Sequence, residues 1–437
     1  MVPRIVATIL LLSLVPACDA GPAPSGAPLG DGPTRTTGSG HACDLGGDPL
    51  PRTGPTAEPT VLLDGEDGGP RVEAIVYPHP DHEGNPWSQW GQGLLLPDGR
   101  FLSAIGDHLG ADGNSYLYEY SPDSGELMLL TDVLSLTEHE PGAWGYGKIH
   151  APMVPGPCGE VYFSTYWGTS EGLSFGPTYQ GDRLFRIDPA KYSVADLGTP
   201  VPEHGLPSLT AWAEGGLLYG EAPDPLTDPW EGPFFAYDVA TGETVFTDDD
   251  RERVGFRNVA VDADGRAYYS VGNGVLRVYD PHSDETRDVP DLMPGPWMRS
   301  STGPAPDGTI YAVTTEPDVF FAIEPSGELR TIGPARGYSA SLALHPDGTH
   351  VLYVPGAHGD SWEQGTPLIA MDPQTGEEEV LVELNAVAED LLGLRLGGTY
   401  NLAVDASRRV VYIGMNAGAA SSGEPFGDVV LLVVHLP

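Results

Sequence analysis

Twelve histidines and 21 lysines and arginines must serve any acid–base, anion-binding or metal chemistry in a chain that carries 62 carboxylates. His150 lies in Lys148-Ile149-His150-Ala151-Pro152, where an imidazole can act as general base, as metal ligand, or as a hydrogen-bonded core residue. Arg257 and Arg299 fall at equivalent places in successive repeats. Their forked guanidinium groups can clamp a carboxylate or sulfate, or can neutralise neighbouring acids of the chain itself. His150, Arg257 and Arg299 are therefore the candidate catalytic set. His108, His150 and His358 offer three imidazoles to a divalent ion, with Asp107 or Asp360 to complete the shell. Trp90, Trp144, Trp167 and Trp297 offer rings that stack on a sugar, hold a cation by their quadrupole, or pack between sheets. Trp90, Lys148, Asn258, Trp297, Tyr400 and Asn401 are the candidate ligand-binding residues.

Residues so far apart meet only if the elements between them repeat, and they do. A tight turn recurs as Pro97-Asp98-Gly99, Pro157-Cys158-Gly159, Glu214-Gly215-Gly216, Ala263-Asp264-Gly265, Pro306-Asp307-Gly308, Pro346-Asp347-Gly348 and, degenerate, Ala406-Ser407-Arg408. Glycine suits a hairpin that needs positive φ, which predicts a two-residue loop at each place. A second signature follows as Tyr120-Ser121-Pro122, Ile187-Asp188-Pro189, Tyr237-Asp238-Val239, Tyr279-Asp280-Pro281, Ile323-Glu324-Pro325 and Met371-Asp372-Pro373. Strand-rich units repeating at roughly forty to sixty residues are the blades of a β-propeller. The pattern predicts an all-β fold: seven blades of four antiparallel strands, with an N-terminal strand, Thr60 to Leu63, closing the ring. The window Leu381 to Leu394, the best helical candidate, reads as an insertion before the last blade. In such a blade the residues before strand one and after strand two share a face, which brings the candidates above to one channel mouth.

The run Asn258-Val259-Ala260-Val261-Asp262-Ala263-Asp264-Gly265-Arg266-Ala267-Tyr268-Tyr269, echoed at Asn401 to Tyr412, resembles the repeats of the streptogramin-lyase and gluconolactonase-like bacterial propellers. The resemblance extends from about Trp90 onward and mainly encodes a strand, a turn and a second strand. It implies a propeller whose site, metal-dependent in the lyases and lactonases, lies at the mouth of the central channel.

The formal charge of −41 repels a phosphate backbone over most of the surface and argues against nucleic acid as a partner. Arg4, the apolar run Ile5 to Leu14, and Leu14-Val15-Pro16-Ala17-Cys18-Asp19 read as a lipoprotein signal, with residues 1–17 removed and Cys18 lipidated. An ordinary secretory peptide cut near Ala20 is the alternative. Either route leads out of the cytoplasm; the first leaves the protein anchored to a membrane of the cell envelope. There Cys43 and Cys158 form an even pair able to make a disulfide. Residues 18–59, rich in Gly, Pro, Ser and Thr, read as a tether, and 60–437 as the propeller. No phosphate loop and no His-Glu-x-x-His helix occurs.

Two functions fit these residues. One is a lipid-anchored binding propeller that presents its channel mouth to a glycan, a small anionic ligand or a protein. The other is a lyase or hydrolase of a carboxylate-bearing substrate, with Arg257 and Arg299 masking the charge, His150 moving the proton, and a divalent metal assisting.

Overall fold

The computed structural model describes residues 46–50, 54–65, 68–166, 179–224, 232–249 and 258–437. They form seven antiparallel sheets in chain order, over 94–132, 154–196, 210–248, 259–292, 297–334, 342–383 and, last, 394–435. The fold is a seven-bladed β-propeller of four-stranded antiparallel blades. The first strand of each sheet lies at the axis, where inner strands of neighbouring blades touch around most of the ring.

The recurring glycines explain the blades. In six of the turns the glycine N–H donates to the carbonyl three residues earlier, at 2.8 to 3.3 Å, with glycine φ between 65° and 92°. These are three-residue loops ending in a left-handed residue rather than the two-residue hairpins expected. The demand for positive φ is the same, but a type I turn precedes it. In blade seven the left-handed position falls on Arg409, at φ 55°, one residue beyond the degenerate triplet. The second signature closes strands three and four with wider turns, as where Gly242 N–H bonds Asp238 O at 2.9 Å and the Asp238 carboxylate accepts from Ala240 N.

Alternating apolar residues of each blade pack against the next, so seven hydrophobic clusters fill the seven inter-blade gaps. The cluster joining blade seven to blade one, with Tyr412 stacked on Phe101 at 5.1 Å, completes the ring. Closure comes from an N-terminal strand, but its identity differs from the expectation. Arg71–Val76 pairs with Asp428–His435 as the fourth strand, and Thr60–Asp64 adds outside it as a fifth. The reason is burial. Val72, Ala74 and Ile75 are inaccessible, as a strand covered on both faces must be, whereas Val61 is exposed.

Two more edges are dressed the same way. Asp48–Pro49 pairs with the outer strand Ser193–Asp196, and Thr56–Ala57 with Glu126–Asp132. These residues belong by composition to the tether, yet backbone pairing on an open edge needs no apolar side chains. The insertion before the last blade contains the helix Asn385–Leu392, and Asn385 Oδ1 accepts from Leu396 N at 3.0 Å.

Candidate functional site

A central cavity of about 400 Å³ opens among the inner strands, and Trp90, His150, Asn258, Arg299 and Tyr400 line it. It shares Gln92, Leu94, Gly303 and Pro304 with a wider cavity of about 700 Å³ nearer the Asp-Gly hairpins. The two are ends of one channel.

Arg299 lies mid-strand in blade five, at a bulge between Met298 and Ser300 that turns its side chain out of the regular ladder. It is 5 % exposed. Its Nε donates to the Tyr338 hydroxyl, and its guanidinium lies 5.3 Å from the Tyr338 ring centre and 5.4 Å from that of Tyr400. Burial opposes the charge, but the oxygens of Tyr338 and Tyr400 outweigh it and raise the pKa above that of a free guanidinium. Among the described residues no carboxylate pairs with Arg299. Several other half-buried arginines do meet carboxylates: Arg100 meets Glu119, Arg183 meets Asp196, Arg266 meets Asp262 and Arg277 meets Asp248, whereas Arg395 packs over the Trp362 ring.

A second cation stands nearby. Lys148, 8 % exposed, places Nζ 4.0 Å from the Trp90 ring centre and 5.7 Å from that of Tyr166. Trp90 is the hub of the mouth. Its ring stacks with His108 at 5.6 Å and with Phe426 at 5.6 Å, tilts against Tyr400 at 5.0 Å, and takes His358 edge-on at 5.3 Å. The indole N–H is spent on Ser88 Oγ at 2.6 Å. His150 Nδ1 lies 2.9 Å from Pro207 O, a pure acceptor, so that nitrogen carries a proton.

The three imidazoles expected to share a metal do not converge. Among the described residues the one group of histidines and carboxylates close enough to share an ion is His345, Asp347 and His350, elsewhere in the fold. Trp90 separates His108 from His358, His150 lies 6.1 Å from Tyr400, and the Lys148 ammonium packs into the same cluster. A cation there would meet a cation. His108 is instead held neutral: burial first, then the Lys148 charge, lower its pKa to about 3, although its bond to Asn85 O opposes them. His108 Nε2 is buried with no hydrogen-bond partner.

Two candidate ligand residues have structural duties. Asn401 is fully buried, and its Oδ1 accepts from Gly93 N at 2.9 Å. With Asn416, which exchanges two bonds with the Gln89 backbone, it pins the segment leading into blade one to blade seven. Trp297 is buried at the start of its strand, opposite Thr315, and does not line the cavity. Asn258 lines it and donates to Ser301 Oγ at 3.1 Å. Arg257, Trp167, Cys18 and Cys43 lie outside the described residues. Cys158 is disulfide-bonded, and its partner also lies outside them.

Sequence reasoning gave no role to Tyr338 or Asn416, and it passed over Phe426. The two inner-face positions were open to inspection, but Phe426 sits in an irregular loop with no period to flag it.

No protein-family model matches the chain, and no curated protein matches it in sequence. Among solved structures it is similar to the WD40 β-propeller domain of Doa1, with a TM-score of 0.51 and 9 % identity over 82 % of this chain and 94 % of that one. At that identity the likeness shows the propeller fold and no particular family of propellers.

Proposed function

We propose that the protein binds a small oxyanion, a carboxylate-bearing ligand such as an acidic sugar, at the mouth of the propeller channel, while lipid at Cys18 holds it outside the cytoplasm. One observation carries the binding reading: Arg299 is a buried guanidinium in a cavity wall, bonded to a tyrosine hydroxyl and paired with no carboxylate among the described residues, in a chain of charge −41. Leaving such a charge without a counter-ion is costly unless a ligand supplies one. Lys148 adds a second positive charge nearby, and the Tyr400 ring lines the cavity beside Arg299 as an aromatic surface for a sugar. The terminal Arg4 to Cys18 pattern supports the address.

The test is calorimetric titration of wild-type protein and Arg299→Leu with galacturonate, glucuronate and their neutral parent sugars. A charge-assisted bond contributes about 1.5–3 kcal/mol, so the variant should bind the acids roughly 10- to 150-fold more weakly. Neutral sugars should bind poorly to both. Equal affinity in wild type and variant, or a preference for the neutral sugars, overturns the reading.

A further inference from the structure

The hairpin of blade six carries chemistry that a turn does not require. It runs His345-Pro346-Asp347-Gly348-Thr349-His350, and His345 N–H bonds His350 O at 2.9 Å, so the two histidines face each other across the strands. Asp347, in the turn between them, folds back over the pair. Its Oδ2 lies 2.9 Å from the Nδ1 of His345 and 2.9 Å from the Nδ1 of His350. The ligand atoms of all three residues fall within 4.8 Å of one another.

The turn alone accounts for Asp347 Oδ1, which accepts from Thr349 N at 2.7 Å and His350 N at 3.2 Å. The imidazoles are tied into the turn as well, His345 Nδ1 accepting from Asp347 N at 3.3 Å and His350 Nδ1 lying 2.9 Å from Thr349 Oγ1, but a turn of this kind requires neither of them nor Oδ2. None of the other five turns that end in the left-handed glycine places a histidine on both sides.

We propose that His345, Asp347 and His350 form a binding site for a divalent transition metal of the zinc type. Two imidazole nitrogens and one carboxylate oxygen are the ligands such ions prefer over calcium or magnesium, which take oxygen shells. In a tetrahedral site with bonds of about 2.0–2.1 Å, nitrogen and oxygen ligands stand roughly 3.3 Å apart. The present 2.9 Å contacts need open by only about half an ångström, with the metal replacing the protons that the imidazoles share with Oδ2. The side chains of Asp347 and His350 are 37 % and 40 % exposed, which gives the ion a way in and leaves its fourth position to water or an incoming donor. His345 also lines the wider, hairpin-end cavity of the channel. The site is thus independent of the oxyanion cluster around Arg299, and a metal there clips the first two strands of blade six together.

Zinc is titrated into the full chain, without a histidine tag, by calorimetry, and cobalt is added in parallel to read its visible spectrum. The wild type should bind one equivalent at this site and give the intense d–d bands of a tetrahedral centre. Losing even an outer-shell partner typically weakens a metal site 10- to 100-fold, so His350→Ala and His345→Ala should each lose at least about tenfold in zinc affinity. His350→Ala alters an exposed side chain and should leave the apo-protein melting temperature unchanged. Zinc should raise that temperature in the wild type and not in the variant. No zinc binding by the wild type, or a zinc affinity in His345→Ala and His350→Ala equal to that of the wild type, overturns the assignment. Arg299→Leu should bind zinc as the wild type does, which separates failure of this site from failure of the oxyanion reading.

Discussion

Acidification between pH 7 and pH 5 should destabilise the propeller through His108 in particular. In the folded chain its imidazole is buried against Trp90, close to the Lys148 charge, with a pKa lowered to about 3 from the ordinary 6.5. Between those values the unfolded chain binds a proton that the folded chain refuses, so stability falls as pH falls, by about 1.4 kcal/mol for each pH unit crossed. From pH 7 to pH 5 the loss amounts to about 2 kcal/mol from this one side chain, because little of the first half-unit counts. The informative variant is His108→Asn. The backbone there sits at φ 57°, which asparagine tolerates, and an asparagine amide can replace Nδ1 as the donor to Asn85 O. Loss of the stack on Trp90 lowers stability by a constant amount at every pH. Urea unfolding at pH 7, 6 and 5 should show the wild type falling about 2 kcal/mol further than the variant over that range. Parallel pH profiles would refute the claim that the mouth of the channel holds His108 neutral.

Two further outcomes follow from the ends of the chain. Ala74→Pro removes a backbone donor from the closing strand, where Ala74 is buried opposite Leu432 and Thr60, and should cost about 3 kcal/mol or more in urea unfolding. A variant as stable as the wild type would mean that Arg71–Val76 does not seal the ring. Cys18→Ser should release the protein from the membrane fraction into the soluble fraction on cell disruption; retention with membranes would exclude lipid at that position as the anchor.

The blades were readable because each turn between strands one and two needs a left-handed residue, and glycine at positions 99, 159, 216, 265, 308 and 348 marks it. The cavity wall was readable for the same reason. Once the repeat is in phase, Trp90, His150, Asn258, Arg299 and Tyr400 must lie on or just before inner strands, and all five line the cavity. Phase says nothing about what a side chain is bonded to. Asn401 sits at the right place, yet its amide oxygen is committed to Gly93 N in the segment leading into blade one. The histidine trio failed on distance. Sharing a face did not bring His108, His150 and His358 within reach of a single ion, and one bulky indole was enough to keep two of them apart. Closure was misplaced by one strand because Thr60 to Leu63 and Arg71–Val76 are both short β-prone runs, and only burial on two faces tells the inner from the outer.

An oxyanion site inside a polyanion is consistent once distance is considered. At physiological salt a surface charge is screened over about 8 Å, so most of the carboxylates act on an approaching anion only weakly and only outside the channel. Within the cavity the relevant charges are those in contact, and there the local balance is inverted. Arg299 is buried among aromatic rings, which exclude water and cannot neutralise it, and Lys148 is buried beside the rings of Trp90 and Tyr166. Several acids of the chain are paired elsewhere, with Arg100, Arg183, Arg266 and Arg277 and in the strand turns. On the proposed reading the attraction for an anion is therefore concentrated where the inner strands meet.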